Sequence, residues 1–104
     1  MIIKFKDDYL KKLVDDHFSL GKPKFPEEVV KIFRKRIFQI KNSKNTFDLR
    51  TIKSLHFEKL KGKKYEGKYS IRLNISYRLI FRIENEKGSR IEIICIEEIS
   101  NHYS

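Results

Sequence analysis

From Tyr69 to Ile83 nearly every second residue is apolar, and that period of two constrains the fold more than any other feature of the chain. Tyr69, Ile71, Leu73 and Ile75 alternate with Ser70, Arg72 and Asn74. Tyr77, Leu79, Phe81 and Ile83 then alternate with Arg78, Ile80 and Arg82. Two such runs in succession predict antiparallel strands with one face towards a core. Pairing fixes parity: for both apolar sets to share a face, Leu73 must lie opposite Tyr77. The loop between them is then odd, Asn74-Ile75-Ser76, and Arg72 falls opposite Arg78 on the other face. Like charges placed cross-strand repel. A phosphate between two guanidinium forks converts that liability into a binding site. The bland reading, two arginines solvating the open face of a sheet, stands beside it.

The rest of the chain supplies what such a hairpin packs against. Met1–Phe5 reads as a short strand. Asp7–Phe18 carries Leu10, Leu13, Val14, His17 and Phe18 at helical spacing, and Gly21 and Pro23 end that pattern. Pro26 suits a first helical position, followed by Glu27 and Glu28 at the positive end of the helix dipole. Val29, Val30, Phe33, Ile37 and Ile40 form one stripe, with Lys31, Arg34, Lys35 and Lys41 elsewhere. Thr46–Leu55 reads as a short helix or a loop. Glu92–Ile99 is a third strand, set off by the turn around Asn85–Ser89, and its continuous run Ile93–Ile96 suits a strand covered on both faces. The expectation is a single α+β domain over residues 1–104, in the order β-α-α-β-β-β. It has an antiparallel sheet of about four strands and two or three helices on one face.

Charge narrows the partner. Lys and Arg number 24 against 14 Asp and Glu in 104 residues, a formal net charge of +10. An excess of that size calls for a polyanion: nucleic acid, an acidic protein or an anionic membrane. No apolar run approaches the length of a spanning helix. MIIKFKDDY is charged too early for an export signal, and one cysteine, Cys95, builds no internal disulfide framework. Both point to the cytoplasm and away from a membrane.

Local motifs divide into those the chemistry discards and those it keeps. Gly62-Lys63-Lys64-Tyr65-Glu66-Gly67-Lys68 opens like a phosphate-binding loop. It fails at Tyr69, where Ser or Thr should hold magnesium, and it precedes a strand pattern where a helix should begin. What remains of Lys59–Lys68 is a basic loop with Tyr65 inside it, suited to phosphate contact and base stacking, or simply a solvated lysine run. His17, His56 and His102 have no zinc spacing, and one cysteine cannot complete a site. No metal or other cofactor is expected. His17 reads as structural. His56 stands just before the basic loop. His102 and Tyr103 are either a frayed end or groups that the last strand delivers to the arginine face. No Ser-His-Asp or Cys-His arrangement is supported. The surviving set, His, Arg, Lys and Tyr, fits RNA cleavage by the RNA's own 2′-hydroxyl. That step needs a base, cations at the crowded phosphate and an acid for the leaving oxygen.

Leu55-His56-Phe57-Glu58-Lys59-Leu60-Lys61-Gly62, Gly67-Lys68-Tyr69-Ser70-Ile71-Arg72-Leu73-Asn74 and Tyr77-Arg78-Leu79-Ile80-Phe81 resemble, as an ordered set, the HigB branch of the RelE/ParE toxin superfamily. The resemblance implies a microbial-RNase-like fold, ribosome-dependent cleavage of mRNA, and a helix-turn-helix antitoxin that blocks the toxin. By position, His56, Lys61, Arg72 and Arg78 match family residues implicated in RNA binding or catalysis. Many HigB-like chains end in Asp-Tyr-His, whereas this one reads Ser100-Asn101-His102-Tyr103-Ser104. His102 and Tyr103 then fill those roles in swapped order. The expected catalytic set is His56, Lys61, Arg72, Arg78, His102 and Tyr103, with Lys59, Lys63, Lys64, Tyr65 and Lys68 binding RNA. Two other readings use the same surface: a ParE-like toxin that inhibits DNA gyrase without cutting anything, and a non-catalytic RNA-binding module.

The last strand is expected to lie beside Tyr77–Ile83 as a meander, its end carrying His102 and Tyr103 towards Arg78 and Arg72. Neighbouring cations would disfavour the imidazolium and leave His102 available as a base, with His56 as the competing candidate.

Overall fold

A computed structural model describes residues 1–15 and 24–101. His17, His102 and Tyr103 lie outside the described residues. The described elements run β1 (Ile2–Phe5), α1 (Asp8–Leu13), α2 (Glu27–Lys41), α3 (Thr46–Thr51), β2 (Glu58–Lys59), β3 (Lys68–Arg72), β4 (Arg78–Asn85) and β5 (Glu92–Ser100), with single 3-10 turns at Lys53–Leu55 and Lys63–Tyr65. The sheet has the order β1-β5-β4-β3-β2.

The hairpin parity holds residue by residue. Arg72 pairs with Arg78, Ile71 with Leu79 and Tyr69 with Phe81. The loop closes through Leu73 N–H and Asn74 N–H, both donating to the Tyr77 carbonyl. The Asn74 side-chain oxygen accepts from the N–H groups of Ser76 and Tyr77 at 2.8 Å each, an Asx turn that closes the tip. The meander also holds, with β5 antiparallel to β4 and Ser100 opposite Arg78.

Two features differ from the sequence expectation. The sheet has five strands, not about four, because β2 adds two residues at the edge, Glu58 opposite Ser70 and Lys59 opposite Tyr69. A two-residue strand is too short to show a period. The sheet is also mixed: β1 runs parallel to β5, from Ile2 opposite Ile93 to Phe5 opposite Ile96. A parallel neighbour needs a long connection, and here it comprises the three helices and strands β2–β4 together.

Each helix has a local cause. Asp7 caps α1 by accepting from Leu10 N–H, and Asn45 caps α3 by accepting from Asp48 N–H. Pro26 sits at the N-cap of α2, one residue before the position expected from its fixed φ, and its carbonyl accepts from Val29 and Val30 N–H. The Glu92 carboxylate accepts from Thr46 N–H and Oγ1 at 2.8 and 2.7 Å, tying α3 to the start of β5. Leu10 and Leu13 of α1, Val29, Phe33, Ile37 and Ile40 of α2, and Leu49 of α3 bury against Ile71, Leu79, Phe81, Ile94 and Ile96 in one core. The opposite face of the sheet carries Ser70, Arg72, Arg78, Lys68 and Arg82 by register.

Candidate active site

Arg72 and Arg78, opposite each other at the end of the hairpin, share a neighbour. His56 follows the Lys53–Leu55 turn in a left-handed conformation, φ 45° and ψ 54°, the only non-glycine residue with positive φ among those described. Such a backbone is sparsely populated and concentrates at functional sites. It sets the His56 carbonyl to accept from Arg78 Nη2 at 2.6 Å, and its ring Nε2 lies 3.4 Å from Arg72 Nη1. A guanidinium only donates, so that contact is a hydrogen bond only when Nε2 carries a lone pair. This is the form in which the ring accepts a proton.

The two arginines are held differently. Arg78 is nearly enclosed: Nε donates to Ser70 Oγ at 2.8 Å, and Nη2 also meets Glu58 Oε1 at 3.1 Å. Arg72 is half-buried, and its contacts are long, 3.4 Å from Nε to the Asn74 carbonyl and 3.4 Å from Nη1 to His56 Nε2. The cross-strand repulsion is thus relieved by giving Arg78 an acid, a hydroxyl and a carbonyl. Arg72 keeps the more available fork.

A third arginine lies beneath. Arg36 of α2 is buried, and its Nε donates to the Arg72 carbonyl at 2.9 Å while Nη1 donates to Gln39 Oε1 at 2.9 Å. Burial lowers its pKa from the usual arginine value. Its spacing of three from Phe33 and four from Ile40 puts it on the apolar stripe of α2, the signal by which the sequence could have revealed it. Asn74 Nδ2 donates to Glu28 Oε1 at 3.3 Å, anchoring the hairpin tip to the start of α2. Ser70, Glu58 and Arg36, absent from the sequence-derived set, therefore position Arg78 and Arg72.

The basic loop divides. Lys59, Lys61, Lys63 and Lys64 are exposed, and Lys64 Nζ stands 5.5 Å from the Tyr65 ring centroid. Lys68 is different: its ammonium meets Glu97 Oε1 at 2.8 Å, with side chains only 19% and 12% exposed, and Arg82 Nε meets the other carboxylate oxygen at 3.0 Å. Burial pushes the Glu97 carboxyl up, but Lys68 and Arg82 outweigh it and hold it below the usual carboxylate value. Gly67, at φ 75°, lets the chain pass Arg82, whose Nη1 would stand 3.0 Å from any added Cβ. The Lys63–Tyr65 turn leads into strand β3 and no helix follows, unlike a nucleotide-binding loop.

Cys95 on β5 has its thiol pushed up by burial and by Glu84, which disfavours a thiolate nucleophile. Among the described residues no group of three or more His, Cys, Asp and Glu side chains could hold a metal, and no helix is long and apolar enough to cross a membrane. His102 and Tyr103 fall outside the described residues; strand β5 ends at Ser100, opposite Arg78.

Residues 3–92 match a family model described as the RelE-like toxin of the type II toxin–antitoxin system HigB. A Haemophilus influenzae protein described as uncharacterized is 38% identical over 88 residues, 84% of this chain and 83% of that protein. The fold is similar to that of the YoeB/ParE toxin from Agrobacterium tumefaciens, with a TM-score of 0.58 and 18% identity over 99% of this chain and 100% of the other.

Proposed function

The chain belongs to the HigB-like family of RelE-like type II toxins, and from that premise we propose that it is an endoribonuclease that cuts mRNA on the ribosome through the RNA's own 2′-hydroxyl. A toxin of this type has an antitoxin partner. The partner proposed here is a helix-turn-helix protein that meets the basic surface, and the place of action is the cytoplasm, where translated mRNA lies.

One observation carries the reading: His56, Arg72 and Arg78 converge on one face of the sheet, with a ring nitrogen 3.4 Å from a guanidinium whose remaining N–H groups can reach a phosphate. In the reaction His56 Nε2 takes the proton of the 2′-hydroxyl. The 2′-oxygen bonds to the adjacent phosphorus, the bond from phosphorus to the 5′-oxygen breaks, and that oxygen takes a proton from an acid. The products are a 2′,3′-cyclic phosphate and a 5′-hydroxyl. Arg72 offers its fork to the charge that builds on the phosphoryl oxygens. Arg78 adds a second positive charge and fixes the His56 backbone. Lys61, with Lys59, Lys63 and Lys64, receives flanking phosphates, and Tyr65 offers a ring beside them. Lys68, already paired with Glu97, contributes field more than contact. His102 and Tyr103, which follow Ser100 in the chain, are assigned the second proton transfer.

The test is a cleavage assay on programmed ribosomes. His56→Ala and Arg72→Ala should each lower the single-turnover rate by about a hundredfold or more. His102→Ala, Tyr103→Phe and deletion of the last three residues should slow chemistry while leaving antitoxin binding intact. If deletion leaves the rate unchanged, the tail has no part in the reaction. No cleavage by the intact chain, together with gyrase inhibition that survives His56→Ala, would replace this reading with a ParE-like one.

A further inference from the structure

At the β2 edge of the sheet lies a hollow of about 480 Å³ lined by Arg50, Phe57, Glu58, Lys59 and Tyr69. A second hollow of about 540 Å³ adjoins it, sharing Lys59 and Tyr69 and adding Lys63. Both fall in the range of small-ligand clefts, roughly 300–1,000 Å³. Two of the first hollow's lining side chains, Phe57 and Tyr69, are aromatic. The Phe57 and Tyr69 rings lie 5.7 Å apart, and each packs against the fully buried Phe81, at 5.8 and 6.2 Å. The exposed Arg50 lays its guanidinium over Phe57, 4.9 Å from the ring centroid. A guanidinium over an aromatic ring, with a lysine beside it, suits a single-stranded base and its phosphate.

We propose that this hollow is a second RNA subsite that holds one unpaired nucleotide of the strand being cut, its base stacked on the Arg50–Phe57 pair and its phosphate at Lys59. The proposal rests on the nuclease reading for the strand's identity, and it adds a place where base rather than backbone is gripped. Continuity supports it. Phe57 and Glu58 directly follow His56, Glu58 lines the hollow while binding Arg78, and β2 is a two-residue edge that a single strand can round. The acidic side chains of a peptide would answer only the charges of Arg50 and Lys59, whereas one nucleotide supplies both a phosphate for the lysine and a flat base for the Arg50–Phe57 pair, which favours a nucleic acid.

The experiment measures binding of a fluorescein-labelled single-stranded hexaribonucleotide by anisotropy at fixed salt. Full-length His56→Ala protein serves as host, so that the RNA stays intact. Adding Arg50→Ala should weaken binding about tenfold, the loss of one stacked base. Arg50→Lys, which keeps the charge and removes the plane, should stay weak. A hexamer with an abasic residue at one particular position should bind the host as weakly as the intact hexamer binds the Arg50→Ala protein, and should lose nothing further when the two are combined. Unchanged binding on Arg50→Ala, full recovery in Arg50→Lys, or an effect confined to antitoxin affinity each overturns the subsite. Failure of the nuclease reading shows separately, as His56→Ala without effect on cleavage, because base-dependent binding needs no cutting.

Discussion

Arg78 and Arg72 have the same charge and the same cross-strand position, yet their surroundings divide the work between them. Arg78 donates to a hydroxyl, a carbonyl and a carboxylate. Removing it leaves the buried Ser70 hydroxyl without its partner and frees the strained His56 turn. Arg78→Ala is therefore expected to cost about 2 kcal/mol in a denaturant melt as well as activity. Arg72→Ala should leave the melt within about 0.5 kcal/mol of the parent while cleavage collapses, because its side chain has only long contacts to lose. Equal loss of stability in both would show that this division of roles between Arg78 and Arg72 is wrong. Arg72 opposite Arg78 was readable in the sequence because strand parity is arithmetic. The difference between them was not, since it depends on Ser70, Glu58 and a backbone carbonyl that only tertiary structure brings near.

At the scale of elements, the outer face of the sheet is stapled by Glu97, which joins β5 to Lys68 of β3 and Arg82 of β4. Its folded pKa lies below the usual carboxylate value, so its contribution is fully present above the unfolded pKa. It is lost as pH falls through the ordinary carboxylate range towards the folded value. Glu97→Gln should lower stability by about 2 kcal/mol at pH 7, and the difference from the parent should shrink on acidification across that range. A pH-independent difference would place the loss in packing. The hairpin tip offers a second check. Asn74→Ala removes both acceptor bonds of the Asx turn and the donor to Glu28, and should cost about 1 kcal/mol. The strands β3, β4 and β5 and helix α2 were legible because each is long enough to display a period. Strand β2 was not, having two residues. Nor was the parallel pairing of β1, which no local pattern encodes. Arg36 was hidden because a basic residue reads as solvent-facing unless its place on the stripe is checked.

For the whole molecule, a net charge of +10 acts through the exposed residues rather than through every base. Counting Lys59, Lys61, Lys63, Lys64 and Arg72 as about five phosphate contacts, and leaving out Lys68 and Arg78 because Glu97 and Glu58 engage them, gives a log–log salt slope of about −3.5 for single-stranded RNA. That is about a 130-fold loss of affinity from 50 to 200 mM salt. A nearly flat dependence would contradict the electrostatic footprint. The central claim, that this toxin cuts RNA through the RNA's own 2′-hydroxyl at His56, Arg72 and Arg78, is tested most directly by the chemistry of the cut ends. Ribosome-programmed mRNA cleaved by the purified chain should carry 2′,3′-cyclic phosphate and 5′-hydroxyl ends, and a 2′-deoxy nucleotide at the cut position should abolish cleavage. Cutting that survives the 2′-deoxy substitution, or that leaves 5′-phosphate ends, would contradict it.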